Sequence, residues 1–396
     1  MPTRRALRAD RAGQAAALAT CLLLLAGCSD STTDARAQDS GADAADTGAA
    51  QPPGRLALSA DWLNGSISLL DFDALLEDGA TREQALIERV DLGDYAAAGP
   101  YSITLTPDGS RAVILLSEGA GATLAPLVGI DASTIPVGEG AVVIFDIASR
   151  DVLADFPSAA APFQAVIDPE GERAYVTSLG NDDDGTLSVF DLQALTKLEE
   201  IAVASFTEGV ALSPDGNRGV VIGATSGLQF FDPLDVEASL SAPLQIAVDS
   251  SSAVYLPGGE RLVVANSRDP ASYALLDVSL PGEATVLVDA QPPGGFPFAI
   301  AGVGDSSEVV LPIYNLGALK LLHVDASNDA LDVLSEVDVP DAQTFPHTAN
   351  VDPDGRFVLL GNEGDREVMI IDLTDQSVRR IAWLPEPGPT ALVVQP

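Results

Sequence analysis

Histidine, lysine and cysteine are scarce in this chain of 396 residues, which has only two of each. Two histidines cannot supply a multi-histidine copper cluster or a multi-histidine haem site, so these cofactor sites are excluded by count. The two lysines, Lys197 and Lys320, give little basis for a Schiff-base site. The sequence also lacks a glycine-rich phosphate loop at a strand-to-helix turn, which argues against a nucleotide site of that kind.

Basic residues are few as well. Lysine and arginine number 20 against 58 aspartates and glutamates, which gives a formal net charge of −38. Nucleic acids and anionic lipid surfaces repel such a chain, so we expect no nucleic-acid partner. Cationic ligands or metal ions are easier to accommodate, although the charge can also serve solubility alone. Hydrophobic residues make up 46% of the chain, which is typical of a folded protein.

The first 27 residues have the pattern of a targeting segment. Four arginines precede an apolar stretch, Ala15 to Leu25, that is too short to span a bilayer. The stretch ends in Leu25-Ala26-Gly27-Cys28, which resembles the lipobox of bacterial lipoproteins. The resemblance implies that residues 1–27 are a signal peptide and that Cys28 is lipidated. The other cysteine, Cys21, lies in the removed segment, so the mature chain would have no disulfide and no thiolate metal site.

Residues 28–54 read as a linker. They show no apolar periodicity, are rich in Ala, Asp, Ser, Thr and Gly, and end in Pro-Pro-Gly. This composition predicts a disordered acidic tether that joins the lipid anchor to a folded domain at 55–396. Ser29 follows the lipidated cysteine and, by resemblance to the enterobacterial sorting rule, favours the outer membrane. We therefore expect a cell-envelope lipoprotein whose domain lies in the periplasm or at the cell surface.

An internal repeat runs through residues 55–396. A short motif of apolar residues followed by an aspartate occurs seven times. The first two copies are 75 residues apart, and the later copies follow at intervals of 41–48 residues. These aspartates are Asp71, Asp146, Asp191, Asp232, Asp277, Asp325 and Asp372. A period near 45 is typical of repeat architectures and outranks a domain count made from length.

A turn phrase precedes most of these aspartates. Pro-Asp-Gly or a close variant occurs near residues 107, 169, 214, 257 and 353. Proline presets φ, aspartate caps the turn and glycine adopts positive φ, so the phrase predicts a tight turn. Short runs of Val, Ile, Phe and Tyr on both sides predict four strands per unit, A to D. The stretch 74–89 departs from this pattern, looks weakly helical, and should lie at the bottom of its unit.

Seven such units predict an all-β fold, a seven-bladed β-propeller with four antiparallel strands per blade. The first unit begins at strand B and the last segment, "PTALVVQP", is a lone strand A. The C-terminal strand should therefore join the N-terminal blade and close the ring. The stretch "RAYVTSLGN", 173–181, resembles the YVTN-type seven-bladed propellers, and the resemblance covers residues 55–396. Relatives of this shape include lactonase-like enzymes, dehydrogenases, cell-surface proteins and binding scaffolds, so the fold alone selects no function.

The D–A and B–C connections should lie on one face of the propeller, the top, and the Pro-Asp-Gly turns on the other. Proline recurs at the start of strand A, where it fixes the chain direction and cannot donate to the ladder. The residues beside it should ring the mouth of the central channel, either as a pocket for a small or cationic ligand or as a packed plug. These candidate ligand-binding residues are Tyr101, Phe163, Gln164, Glu208, Phe298 and His347.

Two B–C loops stand out on the expected top face. Residues 117–140 form an insertion long enough to be functional, and it could lie over the channel mouth. Residues 180–185 carry Asp182, Asp183 and Asp184, whose carboxylates could bind Ca²⁺. Because their spacing is not that of an EF-hand, a solvated turn is the competing interpretation.

Catalysis has few candidates in this sequence. A hydrolase triad needs a histidine beside serine and aspartate. His323 occupies a strand-C position where other blades have isoleucine or valine, which predicts a hydrogen-bonded core residue. His347 remains, and with Glu208 and a metal it would support a lactonase-like or other envelope hydrolase. We favour instead a monomeric, non-enzymatic propeller that binds a protein, peptide or envelope ligand through its top face, and we assign no catalytic residue.

Overall fold

The computed structural model describes most of the chain after residue 53. Among the described residues, none forms a helix long and apolar enough to cross a membrane. The described residues are 54–62, 65–92, 99–117, 140–158, 161–179, 185–204, 207–223, 226–246, 250–267, 270–315, 318–340, 342, 346–362, 365–383 and 389–396.

The first blade shows how the repeat folds. Its strands and single-turn helices are β1 (Leu56–Asp61), β2 (Ser66–Asp71), α1 (Phe72–Leu75), α2 (Arg82–Ala85) and β3 (Leu86–Asp91). The weakly helical prediction for 74–89 is therefore correct only around the two helical turns. From Leu86 onward the chain is an outer strand, because it pairs with β2 starting at Leu70.

Blades two and three are regular and have four antiparallel strands each, in sequence order from the channel outward. Their strands are β4 (Pro100–Leu105), β5 (Arg111–Leu116), β6 (Gly140–Asp146), β7 (Asp151–Ser158), β8 (Pro162–Ile167), β9 (Arg173–Ser178), β10 (Gly185–Asp191) and β11 (Thr196–Val203).

Blade four lacks a regular outer strand. It consists of β12 (Thr207–Leu212), β13 (Gly219–Gly223), β14 (Gly227–Phe231) and α3 (Val236–Ser239), and an isolated bridge between Leu228 and Leu244 takes the place of strand D. The bridge brings the backbone of Leu244 against Gly227, where its carbonyl oxygen would lie 2.2 Å from an added Cβ. The expected fourth strand is thus reduced to one pairing in this blade.

Blades five to seven complete the ring. In blade six the innermost position is divided between two short strands that both pair with β21. The strands are β15 (Ser252–Tyr255), β16 (Arg261–Asn266), β17 (Ser272–Asp277), β18 (Thr285–Ala290), β19 (Phe296–Pro297), β20 (Ala301–Gly302), β21 (Glu308–Asn315), β22 (Ala318–Asp325), β23 (Asp332–Pro340), β24 (Ala349–Val351), β25 (Phe357–Asn362), β26 (Glu367–Asp372) and β27 (Val378–Ala382).

The last strand, β28 (Ala391–Val394), closes the ring as predicted. It pairs antiparallel with β1 in four registered positions, from Ala57 with Val394 to Ala60 with Ala391. The first blade therefore has the order β28, β1, β2, β3, and the fold is a closed seven-bladed β-propeller. The added strand covers the inner edge of β1, which would otherwise be open to pairing with another chain.

The hydrophobic core is divided into layers between blades. Each of seven clusters of buried side chains joins two adjacent blades, and one of them joins blade seven to blade one. Strand β1 illustrates the geometry, because Leu56 and Leu58 pack toward blade two whereas Ala57 packs toward blade seven. Because a strand such as β1 is buried on both faces, apolar residues occur at consecutive positions, as in Leu56-Ala57-Leu58, instead of alternating with polar ones.

The Pro-Asp-Gly turns stack on one another around the bottom face. Gly216 has φ +68°, and an added Cβ there would lie 2.9 Å from Cδ of Pro169 in the preceding blade. Asp215 accepts hydrogen bonds from the Ser213 hydroxyl at 2.6 Å and from the Asn217 amide at 3.2 Å. The structural role expected for these turns follows from both contacts, since glycine is required for φ and for space.

The described chain begins at this bottom face. The Arg55 guanidinium lies 3.1 Å from Asp352 and 3.2 Å from Asp354, both in the bottom turn of blade seven, and 3.0 Å from Asp73. It also lies over the ring of Phe72, 4.8 Å from the centroid. The start of the propeller is thus bonded across the joint between blades one and seven, at the end opposite the channel mouth.

Candidate functional site

A cavity of about 330 Å³ occupies the central channel. All seven blades contribute side chains to its wall, mostly from their innermost strands. The six candidate residues predicted at the mouth, Tyr101, Phe163, Gln164, Glu208, Phe298 and His347, all line this cavity. The repeat phrase therefore identified residues that are distant in sequence and adjacent in space.

β-Bulges at the top of the innermost strands orient three of these residues. In β4, β8 and β12 the pairing with the next strand shifts by one residue just after the first position. The extra residues are Tyr101, Phe163 and Glu208. A bulged residue is left out of the ladder and its side chain is re-aimed. The same backbone device thus directs a tyrosine, a phenylalanine and a glutamate to the channel mouth.

Four rings at the mouth form a closed cycle, which we call the mouth cluster (Tyr101, Phe163, Phe298 and His347). The centroid distances are 5.3 Å from Tyr101 to Phe163, 6.5 Å from Phe163 to Phe298, 5.6 Å from Phe298 to His347, and 6.0 Å from His347 to Tyr101. Interplanar angles of 44–76° give tilted and edge-to-face contacts, which are favoured between aromatic rings. The rings pack on one another and narrow the mouth.

Glu208 is the acidic side chain of the cavity wall, and its residue is 9% exposed. The next residue, Gly209, makes room for its neighbour from blade three, because an added Cβ would lie 2.9 Å from the Gln164 Oε1. That oxygen accepts a hydrogen bond from the Val210 amide at 3.1 Å. Gln164 therefore joins blade three to blade four through its side-chain carbonyl, in addition to lining the cavity.

Other polar side chains of the channel wall also bond to the backbone of the next blade. Thr104 donates to the Ala165 carbonyl at 3.1 Å and Ser251 to the Phe298 carbonyl at 3.1 Å. Thr348 donates to the Thr390 carbonyl at 2.7 Å, and Asn350 to the Leu392 carbonyl at 3.0 Å. The sequence interpretation missed these residues. The signal for them is a polar side chain inside an otherwise apolar inner strand.

The prediction that His323 is a hydrogen-bonded core residue is right about the hydrogen bond, but the residue is only partly buried. It lies in β22 with a side chain 12% exposed, and its Nε2 is 2.6 Å from the Glu308 Oε2. This pair lies on neighbouring strands of blade six, away from the cavity wall. Of the two histidines, His347 is the one at the mouth.

Five predictions fall wholly or mostly outside the described residues. They are the signal peptide at 1–27, the lipidation of Cys28, the tether at 28–54, the calcium site at Asp182, Asp183 and Asp184, and the insertion at 117–140, of which 118–139 are not described. Within the described part of the chain, no group of three or more histidine, cysteine, aspartate or glutamate residues has the arrangement of a metal site.

Comparison with known proteins shows the fold and leaves the function open. No protein-family model matches the sequence, and no curated protein is similar to it. Among solved structures, a functionally unknown protein from Desulfotomaculum acetoxidans DSM 771 is similar with a TM-score of 0.67 and 14% identity, over 86% of this chain and 99% of that one. Kuenenia stuttgartiensis hydrazine synthase is similar with a TM-score of 0.57 and 17% identity, over 69% of this chain and 76% of that one. At these identities the likeness concerns the propeller architecture alone.

Proposed function

We propose that this chain is a membrane-tethered, extracytoplasmic binding propeller that holds a protein, peptide or envelope ligand through its top face. The mouth cluster carries the proposal. Four aromatic rings and a buried glutamate converge at one end of a central cavity, and aromatic side chains around a concave site are typical of ligand binding.

The position of the chain's first described residues supports the same function. Arg55 is bonded to the bottom turn of blade seven, at the face opposite the mouth. The described start of the propeller therefore leaves its top face clear.

The experiment compares captured partners among three forms of the chain that lack residues 1–28. These forms keep every described contact, because the ring closes within residues 54–396. We expect a partner from the cell envelope to be retained by the unsubstituted chain and by Leu198→Ala, a change on the exposed outer strand. The same partner should be lost with Phe163→Ala at the mouth. Identical partners for all three forms would contradict binding through the mouth.

We further infer that the propeller is of the YVTN type and that Cys28 is its lipid anchor. The anchor is tested in an experiment separate from that on ligand binding. The basis is the repeat phrase at 173–181 and the lipobox-like Leu25-Ala26-Gly27-Cys28. Expression of the full chain in a bacterium should give a membrane-bound protein whose mature N-terminal residue is a lipidated Cys28. Cys28→Ser should release it from the membrane, and an unmodified Cys28 in the mature protein would refute the anchor.

The rival function is a lactonase-like or other envelope hydrolase that uses His347 with Glu208. The ring of His347 packs edge-to-face against Tyr101 and Phe298, which favours a role as part of the cavity wall. Turnover of an ester or lactone that His347→Gln abolishes, with Leu198→Ala as control, would support the hydrolase instead.

A further inference from the structure

We propose that the mouth cluster binds an organic cation, namely an ammonium or guanidinium group carried by the ligand, with Glu208 as its counter-charge. The inference rests on the proposed top-face binding and specifies the chemistry of the group that enters the channel. Three independent features lead to it: the arrangement of the rings, the charge of the cavity wall and the size of the cavity.

The ring arrangement suits a cation. The four centroids form a cycle with sides of 5.3–6.5 Å. A group at the middle of the cycle would lie within about 6 Å of the ring centroids, the range in which a ring that turns its face to a cation attracts it. Phe163, Phe298 and His347 are half-buried and line the cavity, so a ligand can reach them.

The negative charge of the cavity wall favours a ligand group with a positive charge. Glu208 is the carboxylate side chain among the residues that line the cavity, and these described residues include no lysine or arginine. A carboxylate that is mostly buried, as in Glu208, is costly to keep out of water, and a cation bound beside it lowers that cost. The formal charge of −38 also raises the local concentration of cations around the whole molecule.

The size of the cavity limits what can enter. A volume of about 330 Å³ is at the small end of ligand pockets, so it suits a side chain or a small head group. A protein or envelope partner would therefore insert a single cationic group and rest its remaining surface on the top face.

The test measures binding of small probes to the chain without residues 1–28 by calorimetry. The cationic probes are choline and n-butylammonium, and the neutral control is 3,3-dimethylbutan-1-ol, which has the shape of choline without its charge. We expect at least one cation to bind about tenfold more tightly than the neutral probe. Glu208→Gln should weaken it about tenfold and Phe163→Leu about three- to thirtyfold. The matched control, Glu199→Gln, removes the same charge from the exposed outer strand and should leave binding within about twofold.

Each outcome bears on the proposal. Equal binding of choline and its neutral counterpart, or equal losses in the Glu208 and Glu199 variants, would overturn it, as would the failure of both cations to bind at about 10 mM. If Phe163→Leu does not fold, the comparison of Glu208→Gln with Glu199→Gln still decides. If partner capture depends on Phe163 while the cations fail, top-face binding stands and the cation inference falls. If the cations bind while Phe163→Ala leaves partner capture unchanged, the cation inference stands and top-face binding of the partner falls.

Discussion

Arg82→Met should destabilise the propeller at the joint where the ring closes. The Arg82 Nη2 lies 3.7 Å from the Asp61 Oδ2, and the two side chains are 7% and 1% exposed. At that distance two charges attract by about 4 kcal/mol with an effective dielectric constant of about 20. In the variant Asp61 keeps its hydrogen bonds from the Ser59 and Ser68 hydroxyls and the Trp383 indole. We therefore expect a net loss of about 3 kcal/mol in the free energy of unfolding.

The loss should depend on pH with a definite sign. Burial raises the pKa of Asp61, and the hydrogen bonds and the nearby arginine only partly oppose this. Because the pKa of Asp61 is raised in the folded protein, its contribution to the free energy of unfolding is complete below the ordinary pKa of 3.8. This contribution is lost as the pH rises through the pKa that Asp61 has in the folded protein. Removing Arg82 raises the pKa of Asp61 further. The difference in stability between wild type and variant should therefore shrink as the pH falls from about 7 to about 4.

Denaturant unfolding followed by tryptophan fluorescence measures both effects. The chain has two tryptophans, and Trp383 contacts both charged groups of the pair. The double variant Asp61→Asn/Arg82→Met provides the control, because it leaves no buried charge and should be more stable than Arg82→Met by about 1 kcal/mol or more. A loss below about 1 kcal/mol in Arg82→Met, or a loss that is constant with pH, would refute the reasoning.

Three further predictions concern the channel wall and the bottom turns. Gly209→Ala should lower the free energy of unfolding by about 1–3 kcal/mol, because the added Cβ meets Gln164. Gly302→Ala, in the inner strand of blade six, should cost less because its nearest contact is at 3.4 Å. Equal denaturation midpoints for the two variants would contradict this. Thr348→Val should cost about 1 kcal/mol by removing the bond to the Thr390 carbonyl, and Thr285→Val on the exposed outer strand β18 should be neutral in the same assay. Hydrogen bonds from Ser213 and Asn217 lower the pKa of Asp215, so its contribution to stability is present above 3.8 and lost as the pH falls through the folded value. The melting temperature of Asp215→Asn should accordingly lie below that of wild type at neutral pH and converge with it in acid.

The fold could be predicted because its two signals are local and repeated. The Pro-Asp-Gly turn and the apolar phrase ending in aspartate recur in most blades, and each specifies strands within its own unit. The irregular parts escaped prediction because they depend on tertiary contacts. Leu244 replaces strand D of blade four only because its backbone can approach Gly227, and an isolated glycine has several possible meanings in a sequence. Leu86 becomes strand because β2 offers it a partner, against a helical pattern.

The residues of the candidate site could be predicted from the sequence, but the bulges and hydrogen bonds that position them could not. Proline before an aromatic residue at the start of strand A is visible in the sequence, and ring symmetry then brings the following residues together. A bulge at Tyr101 or Phe163 shifts the register by one residue and has no signature in composition. The bonds of Thr104 and Thr348 join residues 61 and 42 positions apart, so their partners are known only once the blades are adjacent.

The bulges explain how one blade can alter the mouth without altering the fold. Tyr101, Phe163 and Glu208 occupy the same backbone position, and none of them is needed to pair the strands. A phenylalanine at the position of Glu208 would suit an apolar plug better, because burying a carboxylate costs free energy that burying a ring does not. The turn glycines have no such freedom, since φ and space both require them. Glu208 is therefore the residue of the mouth that packing accounts for least, and in the proposed cation binding its charge would give the mouth cluster a preference among ligands.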